Sequence, residues 1–419
     1  MRIYLTSRLA LARARIVTGI LAALALLPIA VVSVQAEANA RKIDDFHWEG
    51  VERVVAVGDL HGDYQQYLKV LRDAGLITRR GRWDGGRAHL VQTGDVPDRG
   101  PDTREIIEHL QELKKQASRK GGQVHTLIGN HEAMNSYGDL RYVHAGEYKA
   151  FISLNSEKYR ERQWEGYIQR LEELRPEEFL VKSREQLRAE FEQQIPLGWV
   201  EHRLAWRSDG ALGQWILGNP VAVMVNDTIF LHGGISASYC SYSLQELTEL
   251  AHRELQDFDP SVTGILVDEE GPLWYRGLAQ DDEGALSPVV DRILERYGAN
   301  RIVVGHTPTG GVVWPRFGSK VIVNDTGIAA HYGGRDAYLD LSAEGPVAGY
   351  GEHRLSIPSA KDGREDYLRA VIDLDPGNAQ LQKRLERMLA PPGEAEPVQP
   401  PGEEPLERPE IPVSPDICR

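Results

Sequence analysis

Three segments decide the fold: VVAVGDLHGD (54–63), LVQTGDVPDRG (90–100) and HTLIGNHE (125–132). Each is a short β-branched or apolar run that stops at a glycine. A residue able to bind a metal or move a proton follows at once: Asp59 and His61, then Asp95 with Asp98 and Arg99, then Asn130 and His131. Between the runs, YQQYLKVLRDA (64–74) places Tyr67, Leu68 and Leu71 at helical spacing, and Thr103 to Lys115 reads as a second helix. Strands at Val51–Asp59, Ala88–Gly94 and Gln123–Gly129 complete a βαβαβ series. Open α/β sheets carry their sites at the carboxyl ends of such strands.

From Glu147 to Ile195 the composition turns to Glu, Arg, Gln and Lys with spaced Leu, Phe, Trp and Tyr, the pattern of amphipathic helices. This helical insertion is read either as a lid over the site or as a cover on the sheet. VAVMV-ND-TIFLHGG (221–234) is a hairpin about Asn226-Asp227 that delivers His232 at a strand end. Helices follow at Leu244–Phe258 and Val289–Tyr297, and RIVVGHTP (301–308) and KVIVNDTG (320–327) are two more strand-to-loop junctions. LRAVIDL (368–374) reads as a last strand, before a short helix near Leu381–Leu389. Residues 391–419 hold nine prolines among 29 residues and many glutamates, the composition of a disordered tail.

The net charge of −14 excludes a nucleic-acid partner, since phosphate-backbone binding takes clustered Lys and Arg. Residues 1–36 carry Arg2, Arg8, Arg13 and Arg15 with no acid, then an apolar run from Ile16 to Val34, the shape of a secretory signal peptide cut after Ala36 or Ala40. A cut after Ala36 removes four arginines and no acid, taking the charge from −14 to −18. An uncleaved segment would instead anchor the chain in a membrane. Either way the body is expected to be exported, periplasmic or extracellular. Cys240 and Cys418 are the only cysteines, so disulfides do not organise the fold; whether these two pair stays open.

Asp59-x-His61 on extended backbone puts a carboxylate and an imidazole on one face, within reach of one ion. Asp95 has two oxygens and can bridge two cations. The inventory becomes Asp59, His61 and Asp95 for one metal, and Asp95, Asn130, His232 and His306 for the other. Mixed N/O donors suit Mn, Fe or Zn, with Mn the choice in vitro. Two such ions activate water and clamp substrate oxygens. His131 is left to protonate a leaving group, with Asp98 to orient it. Arg99 can fork onto phosphate oxygens, and Arg276 in GPLWYRG (271–277) is the second arginine expected there. The remaining histidines receive no role.

GDLHG (58–62), GDVPDRG (94–100) and GNHE (129–132), together with HGG (232–234), GHTP (305–308) and NDTGIAAHYGG (324–334), resemble the calcineurin-like metallophosphoesterases of the phosphoprotein phosphatase type, closest to the Shewanella-like protein phosphatases. The resemblance spans Val51 to Gly334. It implies a central two-sheet β-sandwich flanked by α-helices, here with a helical insertion, and a catalytic domain over 37–390. It also implies two metals, held by Asp59, His61, Asp95, Asn130, His232 and His306, and direct attack by metal-bound hydroxide. His131 with Asp98 is then the acid pair, and Arg99 and Arg276 hold phosphate. Pro308 stands where nuclease and phosphodiesterase relatives carry a second histidine, which favours monoester hydrolysis of phosphotyrosine or phosphoserine/threonine. A nucleotide or diadenosine-tetraphosphate hydrolase would use the same site. A non-catalytic binding protein should have lost ligands, and none is missing.

Overall fold

The computed structural model describes Arg41–Ala390 and Cys418. The N-terminal apolar segment and the tail other than Cys418 lie outside the described residues. No helix among the described residues is long and apolar enough to cross a membrane.

The strands are β1 (Arg41–Lys42), β2 (His47–Glu49), β3 (Arg53–Val57), β4 (His89–Gln92), β5 (Gln123–Thr126), β6 (Ala222–Val225), β7 (Thr228–Leu231), β8 (Arg301–Val304), β9 (Trp314–Arg316), β10 (Val321–Val323), β11 (Ala337–Ser342), β12 (Gly345–Tyr350) and β13 (His353–Ser356). They form two sheets, ordered β1-β2-β6-β7-β8-β10-β9 and β13-β12-β11-β3-β4-β5. β3 shows how the layers arise. Its alternate side chains serve two cores: Val54 and Ala56 join β6, β7 and β8 in the core between the sheets, while Val55 and Val57 pack with the helices Tyr64–Asp73 and Thr103–Ser118 outside. Buried on both faces, the strand reads as a continuous apolar run.

Strand pairing sets the site. β3, β4 and β5 run parallel, with Val57 opposite Gln92 and Gln92 opposite Thr126. In the other sheet β7, β8 and β10 are parallel, with Leu231 opposite Val304 and Val304 opposite Val323. The residues after these ends, Asp59 and Asp95 from one sheet and His232, His306 and Asp325 from the other, therefore leave the sandwich at one rim.

The insertion is helical as expected, with main helices at Ser156–Leu174 and Arg184–Gln194. It has an apolar cluster of its own: Trp164, Ile168, Leu171, Leu187 and Phe191. The helices Trp199–Trp206 and Ala211–Ile216 and the β11–β13 meander are additions to the sequence reading. LRAVIDL is a correction. It lies in the helix Arg364–Leu374, because the buried residues Tyr367, Leu368, Val371 and Ile372 recur at helical and not alternating spacing. Cys240 and Cys418 form a disulfide across a sequence separation of 178, and both residues are buried in the larger apolar core.

Candidate active site

The backbone at the rim is unusual. His61, Asp95, Asp98, Arg99 and His306 all have positive φ, between 45° and 75°. Non-glycine residues take this conformation at a cost and keep it only where the surroundings impose it. Glu132, fully buried, does much of that imposing: its carboxylate accepts the backbone N–H groups of Asp95 (3.0 Å), Val96 (2.8 Å) and Gly129 (2.8 Å). Gly129 has to be glycine, since a Cβ there would lie 2.2 Å from Asp95 Oδ1.

Asp95 is the centre. Its Oδ2 lies 3.2 Å from His232 Nε2, 3.8 Å from His131 Nε2 and 3.9 Å from His61 Nε2. Two buried donor groups share it, His61–Asp95–His131 and Asp95–His232–His306, each with its ligating atoms within 4.8 Å of one another. Asn130 Oδ1 is 2.9 Å from His232 Nε2 and so belongs beside the second group. Asp59 reaches the first through Oδ2, 3.9 Å from His61 Nε2, while its carboxylate also accepts the His306 N–H at 3.1 Å. The compact first group thus contains His131 where the sequence reading placed Asp59. Orientation is imposed from behind, by the Pro97 carbonyl at His61 Nδ1 (3.1 Å) and the Thr93 carbonyl at His232 Nδ1 (2.9 Å).

Electrostatics fit a cation. Burial, then the charges of Asp325 and Asp95, push the Asp59 carboxyl well above its ordinary range. Burial lifts Glu132 to about 7 and Asp325 to about 6. Four buried acids crowd one rim, and burial first holds the His61 imidazole down to about 3. Mixed oxygen and nitrogen donors around a shared carboxylate are the donor set for a pair of divalent transition-metal ions.

His131 stands apart. Its Nδ1 is 2.5 Å from Asp98 Oδ2, and Asp98 also accepts the Asn135 amide at 2.9 Å. Burial opposes its positive charge, but Asp95 and Asp98 outweigh that and raise it to about 9. Arg99 lies over the Tyr142 ring at 3.9 Å, with Tyr332 on another side at 5.9 Å. Arg276 is at the rim too, its Nη1 donating to the His306 carbonyl at 2.6 Å. All ten residues singled out from the sequence thus converge.

The sequence profile described as calcineurin-like phosphoesterase matches residues 52–310. The chain belongs to this family. As a calcineurin-like phosphoesterase it is a metal-dependent phosphoesterase, and the two donor groups are compatible with the divalent ions that the family uses. It is 33% identical over 299 residues to an uncharacterised protein of Schizosaccharomyces pombe, covering 69% of this chain and 77% of that one. With Shewanella-like protein phosphatase 2 of Arabidopsis thaliana it shares 31% identity over 283 residues, 65% of this chain and 70% of that one. A crystal structure of the cold-active protein-tyrosine phosphatase of a psychrophilic Shewanella species superposes with a TM-score of 0.57 at 28% identity, covering 75% of this chain and 82% of that one.

Several residues of this phosphoesterase site escaped the sequence reading. Asp325 is buried among the donors; NDTG follows a β-branched run like the other motifs, but no glycine stands directly before its acid. Glu132 sits inside GNHE but received no role. Tyr332 sits inside NDTGIAAHYGG but received no role, and Tyr142 carries no motif signal of its own.

Proposed function

We propose that the chain is an exported phosphomonoesterase that dephosphorylates proteins, with phosphotyrosine as its preferred residue. One observation carries the reading: a single carboxylate, Asp95, is shared by two buried donor groups, with the His131–Asp98 pair and the Arg99 guanidinium on the same rim. In this reading Asp59, His61 and Asp95 hold one ion, and Asp95, Asn130, His232 and His306 the other. The ions, when bound, supply Lewis acidity and a water of lowered pKa. The protein's own residues do the rest. Arg99 forks onto the phosphoryl oxygens and Arg276 adds positive charge from the His306 side. His131 delivers a proton from Nε2 to the departing oxygen, while Asp98 at Nδ1 fixes the ring and stabilises the imidazolium.

Preference for tyrosine is supported by the two rings beside Arg99. Tyr142 and Tyr332 offer flat aromatic surface next to the phosphate site, where a phenolic leaving group can stack and a serine side chain leaves a gap. The name of the Shewanella relative, a protein-tyrosine phosphatase, points the same way, while that of the Arabidopsis relative supports protein dephosphorylation alone. Export is supported by the Arg-flanked apolar N-terminus and by the Cys240–Cys418 disulfide, a bond kept in oxidising compartments.

The test is hydrolysis, by Mn²⁺-loaded protein, of matched phosphotyrosine, phosphoserine and phosphothreonine peptides with diadenosine tetraphosphate alongside. The reading expects the phosphotyrosine peptide to be turned over fastest and His131→Ala to abolish it. Turnover of the nucleotide alone would move the substrate to small-molecule phosphates.

A further inference from the structure

Behind the acid pair lies a buried carboxyl that no motif announces. Glu147 opens the 3-10 turn Glu147–Phe151, where the chain enters the insertion, and it is completely buried. Its Oε2 accepts the hydroxyl of Thr103 at 2.8 Å, and Thr103 is the first residue of the helix that follows GDVPDRG. Its Oε1 lies 3.0 Å from His202 Nε2, on the helix Trp199–Trp206 that leaves the insertion. Asp98 lies close enough for its backbone N–H and its charge both to act on this carboxyl. Next to it, the Arg99 N–H donates to the Tyr142 carbonyl at 3.0 Å. Asp98 and Arg99 are consecutive left-handed residues, with φ of 75° and 63°. Neither is glycine, so the turn exists only because something holds it. Tyr142 holds it at Arg99, His131 and Asn135 hold the Asp98 side chain, and Glu147 backs the turn from behind.

We propose that Glu147 is a positioning residue that locks the left-handed turn at Asp98 and Arg99, and so aims Asp98 at His131 and Arg99 into the site. This rests on the reading of His131 as leaving-group acid and Arg99 as phosphate clamp. Hydrogen bonding also fixes the form in which Glu147 acts. The Trp206 indole N–H can only donate, and it reaches His202 Nε2 at 3.0 Å. That nitrogen is therefore an acceptor without a proton. In this tautomer, with the His202 proton on Nδ1, the hydrogen between Nε2 and Glu147 Oε1 comes from the carboxyl, and Glu147 is a neutral acid that donates to His202 and accepts from Thr103. Burial, then the charge of Asp98, shift the Glu147 pKa upward in the same sense, and burial holds His202 neutral, down to about 3. A neutral brace suits the place. An ionised one would repel Asp98, whereas the neutral group leaves Asp98 as the anion facing His131.

Glutamine reproduces that donor and acceptor pattern and alanine does not, which yields a test a merely structural role would not pass. The full chain, loaded with Mn²⁺, is assayed on phenyl phosphate, whose leaving group needs a proton, and on p-nitrophenyl phosphate, whose leaving group does not. Glu147→Ala is expected to lose roughly ten- to a hundredfold on phenyl phosphate but only about threefold on p-nitrophenyl phosphate, with weaker inhibition by inorganic phosphate as Arg99 drifts. Glu147→Gln is expected to stay within about threefold of wild type on both. Equal losses on the two substrates, or a Gln variant as damaged as the Ala variant, would overturn the brace. His131→Ala serves as the anchor: if it shows no leaving-group bias, the acid reading beneath falls instead. Should Glu147→Ala fail to fold by its melting curve, Thr103→Val is read in the same two assays. The same bias, smaller, supports the proposal; none overturns it.

Discussion

Replacing Cys418 with serine should destabilise the protein without touching the site. The Cys240–Cys418 bond closes a loop with a sequence separation of 178 and joins two residues buried in the larger apolar core. In the chain-entropy account, a cross-link over that length removes about 5 kcal/mol of conformational freedom from the unfolded chain. For roughly 350 ordered residues, unfolding entropy near 2.1 cal/mol/K per residue amounts to about 0.7 kcal/mol per degree, so the melting temperature should fall by about 7 °C. Differential scanning calorimetry of wild type, wild type with reductant, Cys418→Ser, and the double variant with Cys240→Ser reads this directly. The three perturbed samples should melt together, because they lack the same single bond. An unchanged melting temperature under reduction would refute the reasoning. So would a double variant far below the single one, since that would mean the thiols contribute by packing and not by their link.

Three further outcomes follow from the core and the rim. Burial holds His89 down to about 4, so the unfolded chain binds more protons than the folded one between that value and the ordinary 6.5. Stability from this group is therefore lost as pH falls through that window, by about 3 kcal/mol at pH 4 relative to pH 8, and urea midpoints of wild type and His89→Gln should converge as the pH drops. Gly129→Ala would drive a Cβ to within 2.2 Å of Asp95 Oδ1, so bound metal and activity should fall together, measured as metal per chain and peptide turnover. Leu187→Ala hollows the small core of the insertion, costing about 2–5 kcal/mol locally. Because that cluster is separate from the two main cores, hydrogen exchange should rise in Ser156–Leu174 and Arg184–Gln194 while β3, β4 and β5 stay protected.

What was legible in the sequence was the row of strand-to-loop junctions. β-branched runs end at glycines there, and Asp59, Asp95, Asn130, His232 and His306 follow at positions that parallel pairing brings to one rim. Illegible residues have physical reasons. Glu132, Glu147 and Asp325 are polar groups whose partners are backbone amides or distant side chains, and a buried acid looks like a surface acid until its neighbours are known. The β12 run GPVAGY carries Gly and Pro, weak β-formers that hid the meander. LRAVIDL was misread because its β-branched content was weighed above its period. The Cys240–Cys418 pairing joins a mid-chain residue to the C-terminal tail across a separation of 178, which no local pattern relates.

The account stands most directly on Asp95 serving two ions at once. Metal content per chain, by inductively coupled plasma mass spectrometry after loading and dialysis, tests this on wild type, Asp95→Ala and His131→Ala. Wild type and His131→Ala should each retain two ions, with His131→Ala inactive, and Asp95→Ala should lose both. An Asp95→Ala protein that keeps its ions, or a His131→Ala protein that loses them, would contradict the shared-carboxylate centre and the separation of metal-holding from proton-giving residues.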